Sequence, residues 1–461
     1  AVSALQNALR LNPQYAEAWL ILGNARAGLG DPAQAIHSYR KAVTAKPDYA
    51  KAWFKLGNAC LEQDRLEEAL PACRRAVELR PDEYACTDLG HVFFRLRRFD
   101  DALANYRRAL AVKDLAPLYA NIALALSCLG RMDEAMQEFE RGLARDPDSA
   151  GAHSARLFTL HYLPGTTPAA ALAAHREFAA HCEAPLKPRW RAHPNTREPE
   201  RRLRIGYVSA DFAWHSVAYF MEPVLASHDH ERFEIHCYHT NPVRDEVTAR
   251  LTALADRWHA CAGLTDEQLA ERIRADGIDI LVDLAGHTAG NRLLAFARRP
   301  APVQVTYLGY PATTGLDAMD YRLCTLDTDP PGQEAWHSET LYRLPRTLWC
   351  YRPFGTRPAP GPATATRNGH ITFGSLNNRS KISPATIGCW AEILRALPAS
   401  RLVMTNIPEG SAQRDLRDAL VARGIDPQRL TLDDRLPNED YWRLLTEIDI
   451  ALDPFPYTGT T

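Results

Sequence analysis

The sequence predicts an N-terminal superhelix of tandem helix pairs followed by two Rossmann-like α/β units, an α part joined to an α/β part. Three observations lead to this prediction. The segment YAEAWLILGNARAGLGDPAQAIHSYRKAVTAKP recurs 34 residues later in similar form, strands begin to alternate with amphipathic helices near residue 201, and a Pro/Gly-rich segment divides that alternation in two. The predicted ranges are 1–150 for the repeats, 151–200 for a helical connector and linker, 201–351 for the first α/β unit, 352–369 for a second linker and 370–461 for the second α/β unit.

The repeats share a period and a set of residue types. Residues 34 apart match as Trp19 with Trp53, Gly23 with Gly57, Ala35 with Ala69, Ala42 with Ala76 and Pro47 with Pro81, and weaker copies follow at a spacing of 33. Small residues let paired helices approach closely, and proline ends each repeat. Because no pair buries its own apolar face, the pairs must stack, which leaves a concave groove typical of peptide binding. Both tryptophans are expected to pack within the array.

The α/β part shows two series of strands, each followed by polar residues. RIGYVSA, FEIHCYHT, DILVDLAGH, VQVTYLGYP and DYRLCTL form the first series, and ITFGSLNNR, RLVMTN, LTLDD and DIALDPFP form the second. Ligands of open parallel sheets bind outside the carboxyl ends of the strands, so these polar residues are the site candidates. They are Asp211, His215, His287, Arg292 and Tyr310 in the first series, and Asn377, Asn378, Arg379, Lys381, Thr460 and Thr461 in the second.

The candidates of the second series suit phosphate binding. A lysine, clustered amides and a Gly-Thr-Thr turn at strand ends provide the donors and the charge that phosphate groups require. The sequence has neither a G-x-G-x-x-G after a strand nor a P-loop, which argues against a dinucleotide-dependent redox enzyme and against an NTPase. Transfer of a group from a nucleotide-activated donor fits these residues better.

Composition excludes other classes of protein. The 54 basic and 56 acidic residues nearly cancel, so neither a nucleic-acid partner nor a membrane partner is expected. Ten cysteines without a C-x-x-C pair indicate reduced thiols in a cytoplasmic protein. Asp327 and Asp329 form a D-x-D sequence, which is interpreted as a turn, and no metal is expected because the histidines lack ligand spacing.

Longer motifs carry a family resemblance. The 34-residue units resemble tetratricopeptide repeats, and together with GYVSADFAWHS, FARRPAPVQVTYLGYPATTG and LNNRSKISP they make the chain similar to the O-GlcNAc transferase family. The resemblance implies a GT-B fold and metal-independent transfer of N-acetylglucosamine from UDP-GlcNAc to serine or threonine of proteins, which would bind along the repeat groove. The sequence ends inside the family's phosphate motif, so the second α/β unit is expected to be incomplete.

The resemblance also implies roles for single residues. Asp211 and His215 would line the sugar and the reaction centre, and His161, in TLHYLPG, would match a catalytic histidine of the connecting segment. Arg292 would lie at the substrate rim, where His287 and Tyr310 are also expected.

On the donor side, Lys381 would contact the diphosphate, which Thr460 and Thr461 would hold at a helix N-terminus. Asn378 stands where the family has glutamine near the leaving phosphate, and Tyr441 stands where it commonly has histidine near the nucleotide.

Some departures leave alternatives open. Animal members carry an asparagine ladder along the groove, and the corresponding residues here are Ile21, Lys55, Asp88 and Asn121. A UDP-glucose-dependent asparagine glycosyltransferase and a non-catalytic scaffold with a degenerate transferase domain are therefore the competing functions. The group that removes the proton from the acceptor also stays open, among His215, Asp211 through a relay and the donor's own phosphate.

Overall fold

The structure is a computed structural model that describes residues 2–198, 200–354, 358–359 and 361–459. The chain forms two compact units. One contains the repeats up to Arg145 together with the second α/β part up to Thr458, and the other runs from Asp146 to Ala359. None of the described helices is long and apolar enough to cross a lipid bilayer.

The repeat part consists of nine described helices, of which the last eight pack as four antiparallel pairs. They are α1 (Val2–Leu11), α2 (Ala16–Gly28), α3 (Pro32–Ala45), α4 (Ala50–Glu62), α5 (Leu66–Leu79), α6 (Glu83–Arg95), α7 (Phe99–Val112), α8 (Ala116–Cys128) and α9 (Met132–Leu143). Gly23 faces the Tyr39 ring so closely that a Cβ atom would clash with it, which explains the small residue at this position of the repeat. The Trp19 and Trp53 indoles donate to the carbonyls of Pro13 (2.8 Å) and Pro47 (2.9 Å). Both tryptophans therefore pack within the array, as predicted.

The second α/β part completes the same unit with a four-stranded parallel sheet. Its strands are β8 (Thr372–Ser375), β9 (Arg401–Met404), β10 (Leu430–Leu432) and β11 (Ile450–Ala451), in the order β10-β9-β8-β11. The helices are α16 (Thr364–Asn368), α17 (Pro384–Ala396), α18 (Ser411–Val421) and α19 (Asn438–Leu445). Trp390 and Leu394 of α17 and Leu416 and Leu420 of α18 pack with the strands into one core. All four strands of the predicted second series are confirmed.

The other unit contains a seven-stranded parallel sheet. Its strands are β1 (Leu203–Ser209), β2 (Phe233–His239), β3 (Arg257–Ala260), β4 (Ile280–Asp283), β5 (Val303–Thr306), β6 (Tyr321–Cys324) and β7 (Thr340–Arg343), in the order β3-β2-β1-β4-β5-β6-β7. The helices are α10 (Ala150–Leu160), α11 (Pro168–Cys182), α12 (Ser216–Ala226), α13 (Glu246–Leu254), α14 (Asp266–Ala275) and α15 (Leu293–Phe296). The edge strands β3 and β7 are absent from the sequence prediction.

The helices of this unit form two cores, one on each face of the sheet. Leu157 of α10 and Phe178 of α11 join Leu281 of β4 in one core, while α12 and α13 contribute to the other through Met221 and Leu251. The predicted connector is thus packed onto the first sheet through its two helices. This packing places connector histidines next to the carboxyl ends of the strands.

Candidate active site

The first candidate group lies where the strand order of the seven-stranded sheet reverses. The chain passes from β1 outward to β2 and β3, then returns to the other side of β1 as β4. Asp211 and His215 lie in the loop between β1 and α12, at the carboxyl end of β1. A Cβ atom on Gly290 would lie only 2.9 Å from Ala210, so the loops after β1 and β4 touch. This is the position at which ligands bind to doubly wound folds.

His215 has a structural task as well as an exposed ring. Its Nδ1 accepts a hydrogen bond from the Val217 backbone N–H at 3.2 Å, which makes the side chain the N-cap of α12. When the ring is neutral this bond leaves the proton on Nε2, so the ring offers an N–H outward. The side chain is 49% exposed, so this group is available to a ligand.

Asp211 lies beside His215 and is mostly buried. Its Oδ2 is 3.6 Å from His215 Nδ1, too long for a hydrogen bond but close enough for an electrostatic interaction. Burial raises the pKa of Asp211, and the charges of His215 and His239 oppose that rise. Its carboxylate is therefore a stronger base than an exposed aspartate, and strand β1 holds it next to the imidazole.

The connector contributes a buried group around Tyr310, which follows β5. The hydroxyl of Tyr310 lies 2.8 Å from Nε2 of His161, at the end of α10, and 2.8 Å from Nε2 of His175, on α11. His175 Nδ1 contacts the Ala171 carbonyl at 2.6 Å and must donate there, so its Nε2 accepts from Tyr310. Tyr310 in turn accepts from His161. Burial lowers the pKa of His161 to about 4, and that of His175 to about 4 as well, so both rings are neutral at pH 7.

His175 is a residue that the sequence analysis missed. One histidine on an amphipathic helix is indistinguishable from an ordinary core residue, and its partner Tyr310 lies 135 residues away. No local signal could have indicated it. The geometry makes His161 part of a hydrogen-bonded interior group, and its catalytic role stays a prediction.

The side chains of His287 and Arg292 contact neighbouring residues of the same unit, whereas the sequence predicts them at an open substrate rim. His287 is 1% exposed, and its two ring nitrogens contact Ser154 Oγ at 3.0 Å and the Thr314 carbonyl at 2.9 Å. Arg292 donates from Nε to Asp266 at 2.6 Å. The burial of His287 argues against direct contact with an acceptor. The rim roles assigned to these two residues and to the buried Tyr310 stay predictions.

The second candidate group lies where the strand order of the four-stranded sheet reverses, at the carboxyl ends of β8 and β11. Asn377 follows β8 and donates to Asp453, after β11, at 3.2 Å. Lys381 ends a 3-10 turn, Arg379–Lys381, and donates from Nζ to the Thr458 carbonyl at 3.0 Å while lying 4.7 Å from the centroid of the Tyr457 ring. Burial lowers the pKa of Lys381, and Asp453 opposes the effect.

The other donor-side candidates are less constrained. Asn378 is exposed at the start of the 3-10 turn, directly before Arg379. Tyr441 lies on α19, where its ring contacts Trp442. Thr460 and Thr461 lie outside the residues that the structure describes. The donor-binding roles of all four stay predictions.

The two acidic residues of the D-x-D sequence have different environments. Asp329 is buried beside His337, whose Nε2 is 3.3 Å from Oδ1, and beside Arg322. Despite burial, the hydrogen bond from His337 and the charge of Arg322 lower the pKa of Asp329. Asp327 is exposed. The sequence is therefore a structural turn in which Asp329 already lies beside His337 and Arg322.

One side-chain group brings potential metal ligands together, although the sequence shows no ligand spacing. His236, His259 and Asp276 place one ligand atom each within 4.8 Å of one another. Arg272 donates to His259 Nδ1 at 3.0 Å, which leaves the His259 proton on Nε2, facing His236 Nδ1 at 3.1 Å. Tyr238 donates to Asp276 at 2.9 Å. Hydrogen bonds thus account for the arrangement of this group.

Comparison with known proteins identifies the family. The sequence profile of Glycosyl transferase family 41 matches residues 165–351, and that of a tetratricopeptide repeat matches residues 22–84 and 87–150. A mutant of Thermobaculum terrenum O-GlcNAc transferase has a similar structure with a TM-score of 0.83 and 36% sequence identity, over 89% of this chain and 79% of that one. The chain belongs to the O-GlcNAc transferase family. It therefore combines tetratricopeptide repeats with the two Rossmann-like units of a GT-B fold, as predicted.

Curated plant relatives of the chain are longer than the part that it matches. It is 40% identical over 330 residues to a probable UDP-N-acetylglucosamine–peptide N-acetylglucosaminyltransferase SPINDLY of Solanum lycopersicum. That match covers 68% of this chain and 35% of the relative. A probable transferase named SEC of Arabidopsis thaliana is 29% identical over 304 residues, which cover 62% of this chain and 31% of the relative. The chain thus spans about a third of the length of these curated relatives.

Proposed function

We propose that this O-GlcNAc transferase family member moves N-acetylglucosamine from UDP-GlcNAc to serine and threonine hydroxyls of proteins. The observation that carries the proposal is Lys381, whose ammonium group lies where the loops after β8 and β11 meet. The names of the plant relatives support this donor and this acceptor class. The similarity in structure to the Thermobaculum terrenum O-GlcNAc transferase supports the same reaction.

The reaction makes two demands on the protein. An acceptor hydroxyl attacks the anomeric carbon, the bond from that carbon to the diphosphate oxygen breaks, and UDP leaves with the bonding electrons. The diphosphate gains negative charge, and the hydroxyl loses its proton. Lys381 answers the first demand because its charge is partly desolvated, which strengthens its interaction with a developing anion.

For the second demand, the tautomer of His215 is informative. An imidazole whose Nδ1 holds a backbone N–H presents Nε2–H, which donates a hydrogen bond and cannot accept the hydroxyl proton. We therefore propose that His215 donates to an oxygen of the sugar. The proton would pass to Asp211, whose raised pKa suits a base, or to the donor's own phosphate.

We further propose that no metal takes part. Lys381 supplies a positive charge for the diphosphate, and Asp329 of the D-x-D sequence is engaged by His337 and Arg322. EDTA is expected to leave turnover nearly unchanged, and Asp327→Asn is expected to be mild because its side chain is exposed. Strong inhibition by EDTA that manganese reverses would contradict this proposal. Radiolabelled sugar transfer to a protein acceptor measures both.

Calorimetric binding of UDP-GlcNAc and UDP-glucose to the protein tests the main proposal. Preference for UDP-GlcNAc, with transfer to hydroxyl side chains detected by mass spectrometry, is the expected result. Preference for UDP-glucose with sugar on asparagine would favour the competing transferase, and binding of neither donor would favour a scaffold. We also propose a cytoplasmic location, which the free state of the described cysteines supports and cell fractionation would test.

A further inference from the structure

The turn between the two helices of each repeat uses one left-handed backbone position. Four residues occupy it in successive repeats: Gly30 with φ 75°, Asp64 with φ 56°, Arg97 with φ 60° and Gly130 with φ 79°. Since two of these residues carry side chains, the turn itself does not require glycine. The positive φ favours glycine but tolerates a side chain, so the surroundings of each residue decide what fits there.

Two of these turns contact the second α/β part of the same unit. Arg97 donates from Nε to Asp434 at 2.7 Å. Asp100, in the first turn of α7, accepts from the backbone N–H of Ser411 at 2.8 Å and from its hydroxyl at 2.7 Å. Helix α18 begins at Ser411 after Gly410, which has no side chain to cap it, so a repeat residue satisfies the first turn of this helix.

Gly130 lies against Arg379, the residue that begins the 3-10 turn of the donor-side candidates. A Cβ atom on Gly130 would clash with the guanidinium of Arg379, whereas a Cβ on Gly30 would meet nothing within 4 Å. Arg379 is 9% exposed, and Asp415 on α18 opposes the lowering of its pKa by burial. The close approach of the guanidinium thus explains the glycine at position 130.

The side chain of Arg379, two residues before Lys381, also bonds to the backbone one residue after it. Its NH1 donates to the carbonyl of Ile382 at 2.9 Å, and Ile382 is buried in the core of the second α/β part. The turn that carries Lys381 is therefore closed by a side chain that the repeats cover. The closed turn fixes where the Lys381 side chain starts, and the Thr458 carbonyl accepts from its ammonium group at the other end.

We infer that Arg379 is a positioning residue, and that the α8–α9 turn of the repeats holds the loop that binds the diphosphate of the nucleotide sugar. The role of Lys381 in this inference rests on the proposed function. The repeats would then support donor binding directly, besides any recruitment of acceptors through their groove. Crowding at Gly130 should be felt at Lys381 through the displaced guanidinium of Arg379.

Gly130→Ala and Gly30→Ala form a matched pair that tests the inference. Both place alanine in the same left-handed turn, but only the first crowds Arg379. Gly130→Ala is expected to weaken UDP binding about tenfold relative to Gly30→Ala, the scale of one overpacked contact. Hydrogen exchange at residues 379–382 should accelerate in Gly130→Ala alone. Calorimetry and mass spectrometry measure the two effects.

A double-mutant cycle separates positioning from simple destabilisation. Arg379→Ala removes the guanidinium, so adding Gly130→Ala to it should cost no further UDP affinity. If Gly130→Ala does not fold, Arg379→Met carries the test through the same two readouts. Equal UDP affinity and equal exchange in the two alanine variants, or strict additivity in the cycle, would overturn the inference. Failure of the parent protein to bind UDP would instead refute the proposed function, while hydrogen exchange would still report on the contact between Gly130 and Arg379.

Discussion

His215 caps helix α12 and is also a candidate catalytic residue, so its replacement by alanine removes both the capping hydrogen bond and the imidazole. His215→Ala should lower the free energy of unfolding by about 1 kcal/mol through loss of the N-cap of α12. His215→Asn keeps a capping oxygen and should recover most of that stability. Both should lower turnover about a hundredfold or more through loss of a hydrogen-bond donor to the transition state, with UDP affinity within a few fold of the parent. Thermal unfolding, calorimetry and sugar transfer measure these effects. If His215→Asn restores turnover together with stability, the imidazole serves only as a cap.

Substitution of Lys381 should lower UDP affinity as well as turnover, unlike substitution of His215. Lys381→Met removes a charge-assisted contact that strengthens as the bond to the diphosphate breaks, worth about 3 kcal/mol or about a hundredfold in turnover. UDP affinity should fall as well, because the product carries the same phosphates. Lys41→Met, at an exposed lysine on α3, is the control and should change neither quantity. Unchanged UDP affinity in Lys381→Met would place the lysine outside the donor site.

The candidate residues that the sequence predicted follow strands, and the reason is topological. Asp211 follows β1 and Asn377 follows β8, and both strands lie where the strand order reverses. Alternation of strands and helices is visible in one sequence, so the carboxyl ends of strands can be located without a structure. His175 and Arg379 acquire their roles from partners far away in the sequence, at Tyr310 and Gly130, and such pairings leave no local pattern.

Whole elements were predictable when their hydrophobic pattern was strong. The repeat helices recur with the same small and aromatic residues, so each copy strengthens the prediction for the others. The strands that were missed, β3 with RWHA and β7 with TLYR, lie at the two edges of the sheet and bury none of their residues fully. A four-residue edge strand without a buried face resembles a loop in sequence.

Among the repeat helices, α6 carries a half-buried carboxyl group whose pKa is raised to about 6. Asp88 on α6, at a position of the asparagine ladder, lies 3.4 Å from Asn58 Nδ2, and burial raises its pKa to about 6. The folded state therefore holds this proton more tightly than the unfolded state, and stability is lost as the pH rises from about 4 through 6. Asp88→Asn should stabilise the repeats by about 1–3 kcal/mol at pH 7.5 and much less at pH 4.5.

Thermal unfolding followed by circular dichroism at the two pH values measures this difference. Asp48→Asn, at an exposed aspartate after α3, is the matched control. A gain from Asp88→Asn that is the same at both pH values would show that the carboxylate is already ionised in the folded state at low pH.

At the scale of the whole chain, one of the two compact units is built from two segments that are far apart in sequence. Residues up to Arg145 group with the second α/β part, whereas the connector groups with the first. Contacts such as Asp100 with Ser411 join residues 311 apart, which no periodicity can reveal. Truncations of the repeats to different lengths are therefore expected to have different effects.

Two truncations should separate recruitment of acceptors from support of the donor site. Removal of residues 1–80 takes away α1–α5 but keeps Arg97, Asp100 and Gly130, the residues that contact the second α/β part. It should depress transfer to whole proteins far more than transfer to short peptides, with UDP affinity unchanged, because repeats stabilise mainly their neighbours.

Removal of residues 1–115 also deletes Arg97 and Asp100, and it should weaken UDP binding as well. Asp100→Ala in the complete chain controls for the lost cap of α18 and should reproduce part of that weakening while leaving the preference for protein acceptors intact. Equal losses on proteins and peptides after the shorter truncation would mean that the groove recruits no acceptor and that the array only supports the fold.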